Sequence, residues 1–80
     1  MKLQLFTTLG CHLCEQAESM LQQLTEQAEK NFSWEAVEIA NSDAMVENYG
    51  ERIPVIKRND TQEEIGWPFT LQQLELWLRN

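Results

Sequence analysis

A mixed four-stranded sheet flanked by helices, in the order β-α-β-α-β-β-α, is the α/β architecture that this sequence predicts. Three observations carry it. Strand-length runs rich in Leu, Phe, Val and Ile occur at four places, and apolar residues recur at steps of three and four elsewhere. Gly, Asn, Asp and Ser mark the boundaries between them.

Lys2 to Thr7 reads as the first strand, ended by the turn Thr7-Thr8-Leu9-Gly10. A long helix follows, roughly from Cys11 to Lys30. Leu13, Ala17, Met20, Leu21, Leu24 and Ala28 form its apolar stripe, and Glu15, Gln22, Gln23, Glu26 and Glu29 fall largely on other faces. Asn31 ends it. Phe32 to Ile39 carries Phe, Trp, Val and Ile in a strand-like pattern, so the strand-helix-strand order implies a right-handed crossover and a parallel pair. Ser42-Asp43 caps a short helix over Ala44 to Tyr49, which Gly50 closes as a C′ residue would.

Ile53 to Arg58 is the third strand, with Pro54 near its start, where proline costs no interior ladder bond. The turn Asn59-Asp60-Thr61-Gln62 leads to Glu63-Glu64-Ile65 and an antiparallel hairpin. Gly66-Trp67-Pro68-Phe69 breaks the pattern. Thr70-Leu71-Gln72-Gln73 is a capping box, and Leu71, Leu74, Trp77 and Leu78 give the last helix its apolar face. Trp34 and Trp77 are expected in the core. No linker or internal repeat interrupts residues 1–80, which read as one domain.

Composition narrows the partners. A domain of 80 residues buries only about 60% of the surface of its unfolded chain, so a deep cofactor-sized cavity is not expected. The net charge of −7 repels phosphate backbones and anionic lipid, and no run of eighteen apolar residues is present. Nucleic acid and membranes are set aside as partners, and a monomer is expected. Without a secretory signal the expected compartment is the cytoplasm, where thiol pools keep most cysteines reduced. Two cysteines there point to catalysis or metal binding before structure.

Those two cysteines stand in Gly10-Cys11-His12-Leu13-Cys14, where the first strand gives way to the long helix. Residues i and i+3 share a helix face, with Cβ atoms roughly 5–6 Å apart, and slight tightening lets such a pair form a disulfide. The free N–H groups and dipole of the helix start favour a thiolate on Cys11. Glu15, four residues on, opposes this by about 0.2–0.5 kcal/mol, against up to roughly 2 kcal/mol from a partly buried helix end. Thiolate chemistry should prevail. His12 is either a solvent-facing helix-start residue or, when protonated, a further aid to the thiolate. Metal binding is the rival chemistry, but zinc or an iron–sulfur cluster usually needs four donors, and two thiols with one poorly aligned imidazole fall short, so no metal site is assigned.

Cys-x-x-Cys opening the first helix, Ile53-Pro54 opening the third strand and the element order together resemble the thioredoxin fold. More narrowly, Gly10-Cys11-His12-Leu13-Cys14, Tyr49-Gly50-Glu51-Arg52-Ile53-Pro54-Val55 and Trp67-Pro68-Phe69 resemble the short bacterial glutaredoxin-like proteins, over essentially the whole chain. The resemblance implies a thiol–disulfide oxidoreductase that reduces protein or small-molecule disulfides, with Cys11 attacking and Cys14 resolving. Pro54 matches the family's cis-proline, and Ile53 would offer backbone groups to an extended substrate. No bound cofactor is implied, and glutathione or a reductase would supply the electrons.

The departures bear on glutathione. Glutaredoxins that use it typically carry Cys-Pro-Tyr-Cys, a lysine shortly before the motif and Gly-Gly-x-Asp after the fourth strand. Here Cys-His-Leu-Cys follows Thr7-Thr8-Leu9-Gly10, and Gly66 precedes Trp67-Pro68-Phe69. Arg52 is the candidate replacement for a carboxylate contact. Trp67 either docks a partner near Cys11 or, with Phe69, covers the sheet edge. Two other classes stand beside the oxidoreductase: a metal or cluster carrier, and a docking module without redox activity.

Overall fold

The computed structural model describes residues 1–27 and 32–79. Its elements are β1 (Lys2–Thr7), α1 (His12–Thr25), β2 (Ser33–Glu38), a 3₁₀ turn (Ile39–Asn41), α2 (Asp43–Tyr49), β3 (Val55–Arg58), β4 (Glu64–Gly66) and α3 (Leu71–Arg79). The sheet order is β2-β1-β3-β4. β1 runs parallel to β2 and antiparallel to β3, which pairs antiparallel with β4. The mixed sheet and its element order are those expected from the sequence. The expected end of the first helix (residues 28–30), its stop at Asn31, and Asn80 lie outside the described residues.

Side chains alternate across β1, so Leu3 and Leu5 enter one face and Phe6 the other. Leu3, Leu5 and Ile56 pack with Ala17, Leu21 and Leu24 of α1, with Phe69, and with Leu74 and Leu78 of α3. Each such aliphatic side chain removed from water contributes about 1.5–3 kcal/mol. On the opposite face Phe6 and Val55 pack with Ile39, covered by Met45 and Tyr49 of α2. The Tyr49 ring stacks on Phe6 with centroids 4.4 Å apart.

Boundaries and placements differ from the sequence expectation at several points: α1 ends at Thr25, with Glu26 as its C-cap, short of the expected run to Lys30, α2 begins at Asp43, and β4 spans Glu64–Gly66, one residue later than expected. Leu13 is exposed, and the buried row on α1 is Cys14, Ala17, Leu21 and Leu24. The buried stripe therefore includes a cysteine in place of the leucine beside it. Trp34 and Trp77 are half-buried at the rim of the larger cluster, because β2 is an edge strand and α3 packs on the outside of the sheet. Pro54 precedes β3, leaving Val55 as its first residue. Phe32 and Ile39 fall outside β2. Gly50 keeps a right-handed φ of −52°, so it is not the left-handed C′ residue expected. A Cβ there would meet the Val46 carbonyl oxygen at 2.5 Å, and that close approach is what requires glycine.

The capping box forms as the sequence implies. The Gln73 N–H donates to Thr70 Oγ1 at 3.1 Å, and the Thr70 N–H donates to Gln73 Oε1 at 2.9 Å. Arg58, on β3, is buried and ties α3 to the sheet. Its Nη1 donates to the Trp77 carbonyl at 3.0 Å, and its Nε and Nη2 fork onto Asp60 at 3.1 and 3.0 Å. No helix among the described residues is long and apolar enough to cross a membrane.

Candidate active site

The chain leaves β1 at Thr7 and turns through Gly10, whose φ of +81° lies in the region that favours glycine. That turn delivers Cys11 to the N-cap of α1. Its Sγ accepts a hydrogen bond from the Cys14 backbone N–H at 3.1 Å, so the sulfur does the work that Ser or Asp usually does at a helix start. Cys11 and Cys14 form a disulfide, with Cα atoms 5.2 Å apart. Cys11 is partly exposed, whereas Cys14 is 2% exposed and sits against the core.

Both cysteines open on a cavity of about 400 Å³ at the C-terminal ends of the parallel strands β1 and β2. Thr7 and Thr8 come from β1 and its turn, Glu15 and Glu18 from α1, and Ala36 and Glu38 from β2. Glu38 is the site residue that sequence reasoning missed. Its Oε1 accepts from Thr8 Oγ1 at 3.0 Å and from the Leu9 N–H at 3.4 Å, pinning the turn that carries Cys11 to the end of β2. Its one sequence signal was a charged residue near the end of a strand expected to run parallel to β1.

Ile53, Arg52 and Trp67 gather on a second groove, with Leu13, Glu51, Val55, Glu64 and Gly66. Among the described residues it shares no lining residue with the first cavity, and it meets the cysteine motif at Leu13. Pro54 is buried between Ile53 and Val55, and the Ile53–Pro54 and Trp67–Pro68 peptides are both cis. The Trp67 N–H donates to the Pro54 carbonyl at 3.1 Å, linking the two segments. Phe69 is buried in the core, while Trp67 is half-buried with its ring edge-on to Phe69 at 5.1 Å. Trp67 thus packs against the larger core cluster and lines the groove.

Arg52 is engaged within the protein. Its Nη1 lies 3.7 Å from Glu64 Oε1, its Nε donates to the Asn48 carbonyl at 3.0 Å, and its guanidinium lies 4.8 Å from the centroid of the Tyr49 ring. The Tyr49 hydroxyl donates to Glu64 Oε2 at 2.6 Å. That hydrogen bond, reinforced by burial, holds the phenol above its ordinary pKa. His12 does not line the cavity. It is 91% exposed, with Nδ1 3.5 Å from Glu15 Oε2. No group of three or more His, Cys, Asp and Glu side chains arranged to hold a metal occurs among the described residues.

Similarities to known proteins follow this geometry. The family model described as glutaredoxin-like domain (DUF836) matches residues 2–79. The X-ray structure of the structural genomics target protein XcR50 from X. campestris is 35% identical, covers 96% of this chain and 95% of its own, and superposes with a TM-score of 0.80. The solution structure of the same target is also 35% identical, with coverage of 99% and 94% and a TM-score of 0.76. Thioredoxin 1 from Thermosipho africanus is only 14% identical, yet it covers 99% of this chain and 96% of its own with a TM-score of 0.65, so the likeness is one of fold. No curated protein matches the chain.

Proposed function

The chain belongs to the glutaredoxin-like domain family and has the thioredoxin fold, and from that premise we propose that it is a small cytoplasmic thiol–disulfide oxidoreductase. The observation that carries this reading is the unequal placement of the two sulfurs on one helix turn. Cys11 Sγ is partly exposed at the N-cap and receives the Cys14 N–H at 3.1 Å, while Cys14 is buried behind it.

Reduction of the Cys11–Cys14 disulfide yields two thiols in unlike surroundings. The N–H that caps Cys11 in the disulfide would stabilise a Cys11 thiolate, and the dipole of α1 acts in the same sense. Burial raises the cost of charge on Cys14. Cys11 therefore attacks the substrate disulfide, and one substrate sulfur leaves as a thiol. Cys14 then attacks Cys11 Sγ in the mixed disulfide, releasing the second substrate thiol and restoring the protein disulfide. Glutathione or a reductase returns two electrons for the next cycle. The substrate lies in the cavity beside Cys11 or along the groove of Ile53, Arg52 and Trp67, where the Ile53 backbone is available to an extended chain.

The test is the reduction potential of the pair, measured by equilibration against glutathione buffers, with the Cys11 pKa titrated in Cys14→Ser. A reversible two-electron couple near −200 to −270 mV, on the order of glutaredoxins and thioredoxin, with a pKa below about 8, is the expected result. A Cys11 thiol titrating at about 8.5, as in a free peptide, would sink the catalytic reading.

A further inference from the structure

The cavity shared by Cys11 and Cys14 is charged with one sign. Among the described residues its ionisable lining besides the two cysteines is Glu15, Glu18 and Glu38, with neither lysine nor arginine contributing. The placement follows from the elements. Glu15 and Glu18 stand four residues beyond Cys11 and Cys14, and residues at that spacing share a helix face. Glu38 approaches from the end of β2 on the other side, fixed by Thr8 and the Leu9 N–H. His12 pairs with Glu15 from outside the cavity lining. Arg52 belongs to the second groove, and its guanidinium is engaged by Glu64, the Asn48 carbonyl and the Tyr49 ring.

From this arrangement, and resting on the oxidoreductase reading, we infer that the site selects disulfides bearing cationic groups close to the sulfurs and disfavours carboxylate-bearing ones, glutathione disulfide among them. The physical cause is Coulombic. One pair of unit charges about 6 Å apart in water changes a rate or binding constant about threefold. Three carboxylates acting together on one dication give about tenfold or more at low salt. The net charge of −7 adds to the encounter rate in the same direction. The exchange itself is balanced by the protein dithiol. Cys11 thiolate forms a bond to one substrate sulfur, the substrate S–S bond breaks, and the leaving thiolate takes a proton. Cys14 loses its proton, bonds to Cys11 Sγ and expels the second thiolate, so two electrons pass to the substrate and two substrate thiols are released.

The experiment uses the full chain, pre-reduced and freed of reductant, and measures its second-order rate of oxidation by four disulfides. Cystamine carries two ammonium groups, 2-hydroxyethyl disulfide is neutral, 3,3′-dithiodipropionate carries two carboxylates, and the fourth is a lysine-flanked cysteine peptide as its disulfide dimer. Each rate is divided by that of dithiothreitol with the same disulfide, which removes differences in leaving-group acidity. Cationic disulfides should exceed the neutral one about tenfold at 0.01 M salt, and the ratio should shrink at 1 M as the screening length falls from about 30 to 3 Å. Glu18→Gln and Glu38→Gln should each lower the ratio of cystamine to neutral disulfide about threefold; the second retains an amide oxygen to accept from Thr8. A preference for both cystamine and the peptide assigns the chemistry to protein and small substrates alike, and one confined to cystamine assigns it to small molecules. Normalised rates within twofold across the charge series, unmoved by salt and by both variants, would overturn the inference while leaving the oxidoreductase reading intact. A reduced protein that no disulfide oxidises overturns that reading, and this inference with it.

Discussion

Glu38 and Arg58 are single residues that each decide a local arrangement. Glu38 holds the turn carrying Cys11, whereas Arg58 holds the sheet to α3 through the Trp77 carbonyl and through Asp60. The Arg58 fork keeps the Asp60 carboxyl below its ordinary pKa of 3.8, and Asp60 in turn holds the guanidinium above its usual value. A depressed folded-state pKa means stability that is present above the unfolded value and is lost as pH falls through the folded one. Asp60→Asn should therefore be less stable than the parent at pH 7 in urea unfolding, and the gap should close below about pH 4 as the parent's carboxyl protonates. A gap unchanged between pH 7 and pH 3 would mean that the Arg58–Asp60 charge is not what stabilises this corner. Neither Glu38 nor Arg58 was legible as a special residue in the sequence, since a glutamate or an arginine within an alternating strand reads as solvated surface until a partner is placed opposite it.

The helices show how much local chemistry suffices. Ser42 at the start of α2 accepts from the Met45 N–H, and the reciprocal bonds of Thr70 and Gln73 start α3, both as their sequence signatures imply. Thr70→Ala should cost about 1 kcal/mol, seen as a lower urea midpoint with an unchanged slope. An unchanged midpoint would show that α3 is held by Arg58 and core packing alone. The first helix was legible by its periodicity, and Ala17, Leu21 and Leu24 of the expected stripe are buried. Its first turn was not legible, because Leu13 and Cys14 lie about 100° apart on a helix of 3.6 residues per turn and either could begin the stripe. The structure selects Cys14 and leaves Leu13 lining the groove of Trp67. The burial of Cys14 beside a partly exposed Cys11 is what makes the two sulfurs unequal.

At the scale of the molecule, α1 and α3 share one face of the sheet and α2 takes the other, so most aliphatic burial lies in one cluster. Leu21 is fully buried within that cluster. Leu21→Ala should destabilise the domain by about 2–5 kcal/mol, a large part of the 5–15 kcal/mol typical of a small domain, while unfolding stays a single transition. Tryptophan fluorescence and far-UV circular dichroism tracked through the same melt would check this, and two separated transitions would contradict a shared core. By itself the sequence determined the element order, the Cys11-x-x-Cys14 pair at a helix start and the N-caps of Ser42 and Thr70, because turn chemistry, capping and periodicity act over a few neighbours. Only the tertiary structure decided that Glu38 faces the cysteines, that Arg52 is engaged by Glu64 and Tyr49, and that Ile53 and Trp67 line a groove of their own. Apart from Arg52 and Tyr49, which are close in sequence, those relations join residues 12 to 27 positions apart, and they exist only once the strand register has set which side chains face one another.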